Sequence, residues 1–369
     1  MRDVLPDLLR WWYAGQPVGM ATVVSTWRSA PREPGAAMVV GPDGSVVGSV
    51  SGGCVEAAVY DLCREAAETG EPGLHRYGVS DDDAFAVGLT CGGTIEVYVE
   101  RVDPVSFPGL PDVAAAIQSG QPVLVLSCVE GPTDRLGRRL VVTPAGRSGS
   151  LGPDRLDDAA EADGLGMLAA GRTGLLHYGP DGERRGTGLT VLANASASPA
   201  RMIVFGATDF AAAVTRIGAF LGFRVTVCDA RAVFATERRF PDAAEVVVDW
   251  PHRYLKSEVD AGRVDRRTVV CVLTHDPKFD VPVLAVALRE NLAYVGAMGS
   301  RRSHEDRMKR LREAGLDEAE LARLSSPIGL DLGARTPEQT AVSIAAEIVA
   351  RRWGGGGARL TELPGPIHH

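Results

Sequence analysis

An α/β fold in two domains is predicted by three observations. The chain has 369 residues, more than one ordinary domain holds. A small, polar stretch containing a proline, Asn194-Ala195-Ser196-Ala197-Ser198-Pro199-Ala200, separates two apolar runs and reads as a linker. Beyond it, short β-rich runs alternate with stretches of helical length, the pattern of right-handed βαβ crossovers in a parallel sheet covered on both faces. Residues 1–197 are therefore assigned to an N-terminal α+β domain, and residues 198–369 to a C-terminal Rossmann-like domain with a doubly wound parallel sheet.

At the start, Leu5, Leu8 and Leu9 with Trp11, Trp12 and Tyr13 predict a helix that buries its apolar face. Glycine-bounded strands follow at 20–26, 37–40, 94–100, 123–128 and 138–143, and two more at 172–178 and 188–192 lead into the linker. Between Gly53 and Gly70, the residues Val55, Ala58, Val59, Leu62 and Ala66 recur at helical spacing. No internal repeat is read in this half. In the second half, strands are expected at 201–205, 224–228, 245–248, 268–274 and 292–297. Thr336-Pro337-Glu338-Gln339 offers an N-cap, a proline at the first helical position and a glutamine three residues on, so a closing helix should run to about Trp353 and stop at the glycines 354–357.

Composition excludes several functions. With 45% hydrophobic and 23% charged residues the chain is an ordinary globular one, and its 39 basic against 47 acidic residues give a net charge of −8, the wrong sign for attracting nucleic acid. No apolar run is long enough for a membrane span. Met1-Arg2-Asp3 also lacks the basic-then-apolar order of a signal peptide, so a cytoplasmic location is expected. The six cysteines include no Cys-x-x-Cys pair, which points to free thiols and gives no sign of a dedicated metal site. Asp81-Asp82-Asp83 reads as a solvated charge run.

Two glycine loops carry cysteines. Gly48-Ser49-Val50-Ser51-Gly52-Gly53-Cys54-Val55-Glu56 leads straight into a helix, where free N–H groups and the positive end of the helix dipole would cradle an anion and favour the Cys54 thiolate. Cys91-Gly92-Gly93 forms a second turn, just before a strand. The bland alternative is that the glycines serve tight turns and the thiols fill space. Cys63, Cys128, Cys228 and Cys271 lie in apolar helix or strand runs and read as small hydrophobes.

In the second half, Gly206-Ala207-Thr208-Asp209-Phe210-Ala211 occupies the place of the dinucleotide fingerprint, and Asp229 stands where an acid could bond a ribose hydroxyl. Thr208 replaces the glycine that lets backbone approach pyrophosphate, and Asp209 puts a carboxylate at the helix N-terminus. Both weigh against NAD(P). His275 and Asp276 fall at the carboxyl end of a strand, as a proton donor or phosphate-orienting pair, or as structural residues. Gly299, Ser300 and Arg301, with Arg302, start a helix and suit a phosphate.

Taken together these segments resemble the XdhC/CoxI family, the accessory proteins of xanthine dehydrogenase and carbon monoxide dehydrogenase maturation. The resemblance rests on Ser25-Thr26-Trp27-Arg28-Ser29-Ala30-Pro31-Arg32, on both cysteine loops, and on Thr274-His275-Asp276 with Asp280. It also rests on Gly299-Ser300-Arg301-Arg302 and on the run from Ile328 to Pro337. Relatives commonly read Gly-Ala-Gly-His at the first turn of the second half, where this chain departs from them.

The resemblance implies a chaperone that binds molybdenum cofactor, as molybdopterin or its dinucleotide form, and holds it for sulfuration. It would then pass the cofactor to a molybdenum hydroxylase apoenzyme. A cysteine desulfurase is the second implied partner, and a homodimer is compatible with the chain. Soft thiolates suit molybdenum, so the resemblance makes Cys54 and Cys91 the expected contacts. The cofactor's phosphate is expected on Ser51, Gly52, Gly53, Gly92 and Gly93, and the site in the cleft between the halves. Such a role requires no turnover. The rival readings are an NAD(P)-dependent oxidoreductase with Cys54 or His275 in the chemistry, and a protein that only docks on a dehydrogenase.

Overall fold

The first helix, α1 (Leu5–Tyr13), carries a proline in its first turn, where a missing N–H is no loss, and buries Leu5, Leu8 and Trp11. The computed structural model describes residues 1–27, 32–78, 93–184 and 186–363. After α1 come β1 (Val18–Trp27), β2 (Ala37–Val40), β3 (Val46–Gly48), α2 (Glu56–Thr69), β4 (Gly73–Tyr77) and β5 (Thr94–Val102). The strands form an antiparallel sheet in the order β3-β2-β1-β5-β4.

The chain then does the same again. It forms α3 (Leu110–Gln118), β6 (Val123–Glu130), β7 (Arg139–Thr143), β8 (Gly146–Gly149), α4 (Asp154–Ala170), β9 (Gly174–Tyr178) and β10 (Leu189–Ser196). The second sheet has the order β8-β7-β6-β10-β9, strand for strand the order of the first. Residues 1–198, one of two units of the chain, are thus a duplicated module.

This corrects the reading of the sequence as free of repeats. Leu5-Pro6-Asp7 and Gly15-Gln16-Pro17-Val18 return 105 positions on, as Leu110-Pro111-Asp112 and Gly120-Gln121-Pro122-Val123. Gly73-Leu74 and Tyr77-Gly78 return 101 positions on, as Gly174-Leu175 and Tyr178-Gly179. The change of offset and the dissimilar residues in between hide the repeat from a search for a fixed period. The strands β3 and β8 are short and largely exposed, so no alternating pattern announces them.

Within the unit, β1 touches β9 and β4 touches β6. These two contacts exchange when the modules are exchanged, as an approximate two-fold axis requires. Leu5, Leu8 and Met20 of one module share a buried core with Leu110, Val113 and Val125 of the other. One link across this seam breaks the symmetry. Glu100 of β5 and Arg139 of β7 form a buried ion pair. Arg139 also donates to the carbonyls of Ser106 (3.0 Å) and Gly137 (3.2 Å) and lies 4.4 Å from the Phe107 ring centre. The repeat-related positions, Asn194 and Ala37, are uncharged.

The turn that ends β3 has its counterpart after β8. Gly48 and Gly149 both have φ +81°, and a Cβ on either would stand 2.2 or 2.3 Å from the carbonyl oxygen of the neighbouring strand, Ala37 or Arg139. Gly48→Ala and Gly149→Ala should therefore each cost about 2–4 kcal/mol, from a positive φ plus a forced strand shift. Urea denaturation of the two variants checks this. A near-neutral result for either would mean that its turn can relax.

The other unit begins with β11 (Arg201–Phe205), α5 (Asp209–Phe220), β12 (Arg224–Cys228), β13 (Glu245–Val247) and α6 (Pro251–Asp260). It continues with β14 (Val269–Val272), α7 (Pro277–Ala287), β15 (Tyr294–Ala297), α8 (Arg301–Glu313), α9 (Glu318–Leu321), β16 (Leu324–Ser325) and α10 (Pro337–Trp353). All six strands are parallel, in the order β13-β12-β11-β14-β15-β16. Alternate residues of β11 serve different cores. Met202 and Val204 pack with α5 and α10, whereas Ile203 and Phe205 pack with α6, α7 and α8. This is the Rossmann-like architecture expected. The closing helix α10 has its capping box at Thr336 and Gln339, Pro337 in its first turn and Gly354 in the left-handed conformation at its end. No helix among the described residues is long and apolar enough to cross a membrane.

Candidate functional site

Strand direction gathers the first half's motifs at one place. In the first sheet β1, β3 and β4 run the same way, because each is antiparallel to the strand that separates it from the next. The chain therefore leaves all three at one edge. That edge receives the end of β1 at Trp27, the loop from Ser49 to Val55, the end of β4 at Tyr77 and the start of β5 at Thr94. Gly93 is buried at the entry to β5. Cys91 and Gly92 lie outside the described residues, as do Arg28 to Pro31 and Asp81-Asp82-Asp83.

The cysteine loop is closed by its own acid. Glu56, the first residue of α2, folds its carboxylate back into the loop. Its Oε1 accepts from the Ser49 hydroxyl (2.6 Å) and from the N–H groups of Val50 (3.2 Å) and Ser51 (2.8 Å). Its Oε2 accepts from the Ser51 hydroxyl and from the N–H groups of Gly53 (2.8 Å) and Val55 (3.3 Å). The N–H groups of Gly52 and Cys54 go to the hydroxyl oxygens of Ser49 and Ser51, both at 2.9 Å.

Every N–H from Val50 to Val55 thus has a protein acceptor, and the anion at the N-terminus of α2 is the chain's own. The residues expected to cradle a ligand's phosphate, Ser51, Gly52 and Gly53, have their N–H groups engaged within the loop, so a phosphate there would have to displace Glu56. Burial pushes the Glu56 carboxyl up, but the hydrogen bonds from Ser49 and Ser51 outweigh it and hold its pKa at about 2.

The loop also carries a thiol, packed beside the core around Val55 and Val59. Cys54 is half-buried, whereas Cys63, Cys128, Cys228 and Cys271 are buried. Burial pushes Cys63, Cys228 and Cys271 up to about 12 and raises Cys128, so none of these four is a thiolate at neutral pH.

The second module supplies a comparison inside the same chain. Its loop reads Gly149-Ser150-Leu151-Gly152-Pro153-Asp154-Arg155-Leu156-Asp157, and Asp157 accepts the Leu151 N–H at 2.7 Å just as Glu56 accepts from Val50. Arg155 stands where Cys54 stands in the first module. The closing acid belongs to the module's architecture and the thiol does not.

In the other unit the predicted residues collect at the carboxyl edge of the parallel sheet. Gly206 passes so close to β14 that a Cβ would lie 2.9 Å from the Thr274 side chain. Thr208 is the N-cap of α5, accepting from the Ala211 N–H, and Asp209 in the first turn pairs with Arg239 at 3.2 Å. The buried Asp229 accepts from the Ala207 N–H (2.7 Å) and holds Arg231 through both its oxygens (2.9 and 2.7 Å). Burial would raise its carboxyl, but these bonds keep it below the usual range. A ribose hydroxyl would have to break one of them. The residues present do not fit a dinucleotide at this turn.

Asp276 does not pair with His275. It caps α7, accepting from the Lys278 N–H (3.1 Å) and pairing with the Lys278 ammonium (2.9 Å). Ser300 caps α8, accepting from the Ser303 N–H at 3.1 Å, while Arg301 is exposed. The structure does bring His275 and Gly299 to one cavity of about 120 Å³, whose floor is the buried ion pair between Asp280 and Arg307 (3.0 Å).

Sequence reasoning assigned no role to Glu56 or Arg307. The signal for Glu56 is the acid that returns as Asp157 at the same place in the repeat. The signal for Arg307 is its position four residues before the buried Leu311, on the inward face of an otherwise charged helix.

Fold and site define a class: a duplicated module that carries a thiol in an acid-closed turn, joined to a Rossmann-like unit. The family model described as XdhC Rossmann domain matches residues 202–348, and that of the XdhC and CoxI family matches residues 11–78 and 116–179, the same stretch of each repeat. The chain belongs to the XdhC/CoxI family.

It is 28% identical to a probable xanthine dehydrogenase subunit of Bacillus subtilis, over 90% of this chain and 92% of that one. It is 27% identical to the molybdenum cofactor insertion chaperone PaoD of Escherichia coli, over 92% and 85%. A crystal structure from Bacillus halodurans, described as a xanthine dehydrogenase, shares the fold with a TM-score of 0.68 at 24% identity, covering 98% of both chains.

Proposed function

We propose that the chain is a molybdenum-cofactor-binding maturation factor that holds the cofactor for sulfuration and inserts it into a xanthine dehydrogenase-type molybdenum hydroxylase. The observation that carries this reading is the turn at Cys54. Its repeat twin keeps the closing acid and replaces the cysteine, so the fold does not account for the thiol. A thiol is a fitting ligand for molybdenum and its sulfur atoms. Its carrier loop has no N–H to spare, so the cofactor would meet this turn by its metal end, and its phosphate would be held elsewhere. Relatives named for cofactor insertion and for xanthine dehydrogenase support the same reading.

Cys54 supplies the contact, Glu56 with Ser49 and Ser51 fixes where that contact stands, and Cys91 is the second thiol that the sequence proposes. A cysteine desulfurase as sulfur source, a cytoplasmic location and a homodimeric assembly complete the proposal.

Anaerobic titration with molybdenum cofactor, with NADH and NADPH in parallel, tests it on wild type, Cys54→Ala and Cys91→Ala. We expect cofactor uptake by the wild type, weakened about tenfold or more in the Cys54 variant. Uptake unchanged in both variants would remove the thiols from the mechanism. Tight NADH binding without cofactor uptake would replace the chaperone reading with an oxidoreductase.

A further inference from the structure

The closing helix α10 is apolar on two faces. Ala341, Ile344 and Ile348 belong to the core that covers the parallel sheet. Val342, Ala346, Val349 and Trp353 recur on another face at intervals of four, three and four, the spacing of a seam between two helices. That second face meets solvent: Val342 is 50%, Val349 43% and Trp353 57% exposed. A helix that covers a sheet needs one apolar face, and its remaining surface is ordinarily polar. Packing on the sheet uses the first stripe and not the second.

The charges beside this stripe are ordered. Glu338 stands in the first turn and Arg352 in the last, two heptads on and hence on the same flank. Arg352 lies over the Trp353 ring, 5.0 Å from its centre. Neither Glu338 nor Arg352 takes part in an ion pair among the described residues. Laid parallel, two copies of α10 would set acid against acid and base against base. Laid antiparallel, the acid of each copy comes to the base of the other, and the two helix dipoles oppose. The side chains then match in size as well, since Val342 of each copy meets Trp353 of the other and Ala346 meets Val349. Such self-complementarity is what a two-fold interface demands, and a surface for a different protein needs no such order.

We propose that α10 is the surface through which two copies of this chain pair, antiparallel about a two-fold axis that passes between Ala346 and Val349. The inference rests on the homodimeric assembly included in the function proposed above and supplies its surface. It does not depend on the cofactor. Val349 stands beside the axis, where a single substitution acts on both copies at once.

Sedimentation velocity of the full chain over a range of concentrations tests it. The wild type should be a dimer that dissociates on dilution. Val349→Glu sets two carboxylates near the axis and should raise the dissociation constant about tenfold or more. Glutamate is a good helix former, so circular dichroism of the dilute variant should match that of the wild type. Glu338→Arg and Arg352→Glu should each weaken pairing severalfold, and the two together should restore it, because opposite charges meet again. A helix defect would instead add up in the double variant, since each substitution puts the wrong charge at its end of the dipole. A wild type that stays monomeric at every concentration would overturn this inference and the homodimer together, leaving the cofactor reading in place. A dimer that survives Val349→Glu would overturn the inference alone. A double variant no better than the single ones would overturn the antiparallel arrangement.

Discussion

Glu56→Ala is expected to lower stability by about 3 kcal/mol and the melting temperature by about 6–12 °C, the scale for stranding several hydrogen-bonding groups in a domain of this size. The substitution removes the one acceptor shared by two hydroxyls and four N–H groups. It should also loosen the turn that fixes Cys54.

The pH dependence follows from the direction of the shift. The folded-state pKa lies at about 2, below the ordinary 4.5, so the stabilisation is complete above about pH 4.5 and is lost as pH falls from there through 2. Melting curves by circular dichroism between pH 7 and pH 2.5 should therefore slope downward in acid for the wild type and less steeply for Glu56→Gln. If the variant and the wild type melt in parallel across that range, Glu56 does not hold the loop. Asp157→Ala in the second module is the companion measurement. It should cost less, because Asp157 accepts one loop N–H where Glu56 accepts from two hydroxyls and four N–H groups.

Arg139→Met should cost about 3–5 kcal/mol, because it leaves the Glu100 carboxylate buried without its counter-charge. Burial already pushes the Glu100 carboxyl above the usual range against the pull of Arg139, so nothing else in its surroundings would compensate. Removing both charges, as Glu100→Gln with Arg139→Met, should recover most of the loss, since the expensive state is one charge alone. Urea denaturation of the two single variants and the double variant closes the cycle. A double variant as unstable as Arg139→Met would place the cost in lost packing on Phe107 instead of in the orphaned charge.

The second unit was readable because its physics is local. The central strands β11, β12 and β14 are short, largely β-branched runs buried along most of their length, and α10 announces itself with a cap, a proline and a terminal glycine. The first unit was readable only in part. Its long central strands stand out, but β3, β4 and β8 are exposed or half-exposed, and the relation between the two sheets is stored in residues about a hundred positions apart.

The candidate site divides in the same way. Cysteine and glycine in one loop are visible side by side, and so is the damaged fingerprint at Thr208. What the loop's donors do is decided by which way the Glu56 side chain turns, and a sequence does not show that. Likewise Asp229 stands at the spacing expected of a ribose-binding acid, yet its partner Arg231, two residues on, already holds it.

Two separate identical protomers facing each other across a true dyad must each show the same residue at the same place. Two modules on one chain are free of that obligation. The two-fold arrangement stands here in the strand order, while one module has a cysteine at this turn and the other an arginine, and a charged clasp joins only one side of the seam. Stoichiometry at this turn is thereby written into the gene: each polypeptide displays a single Cys54, however its copies assemble.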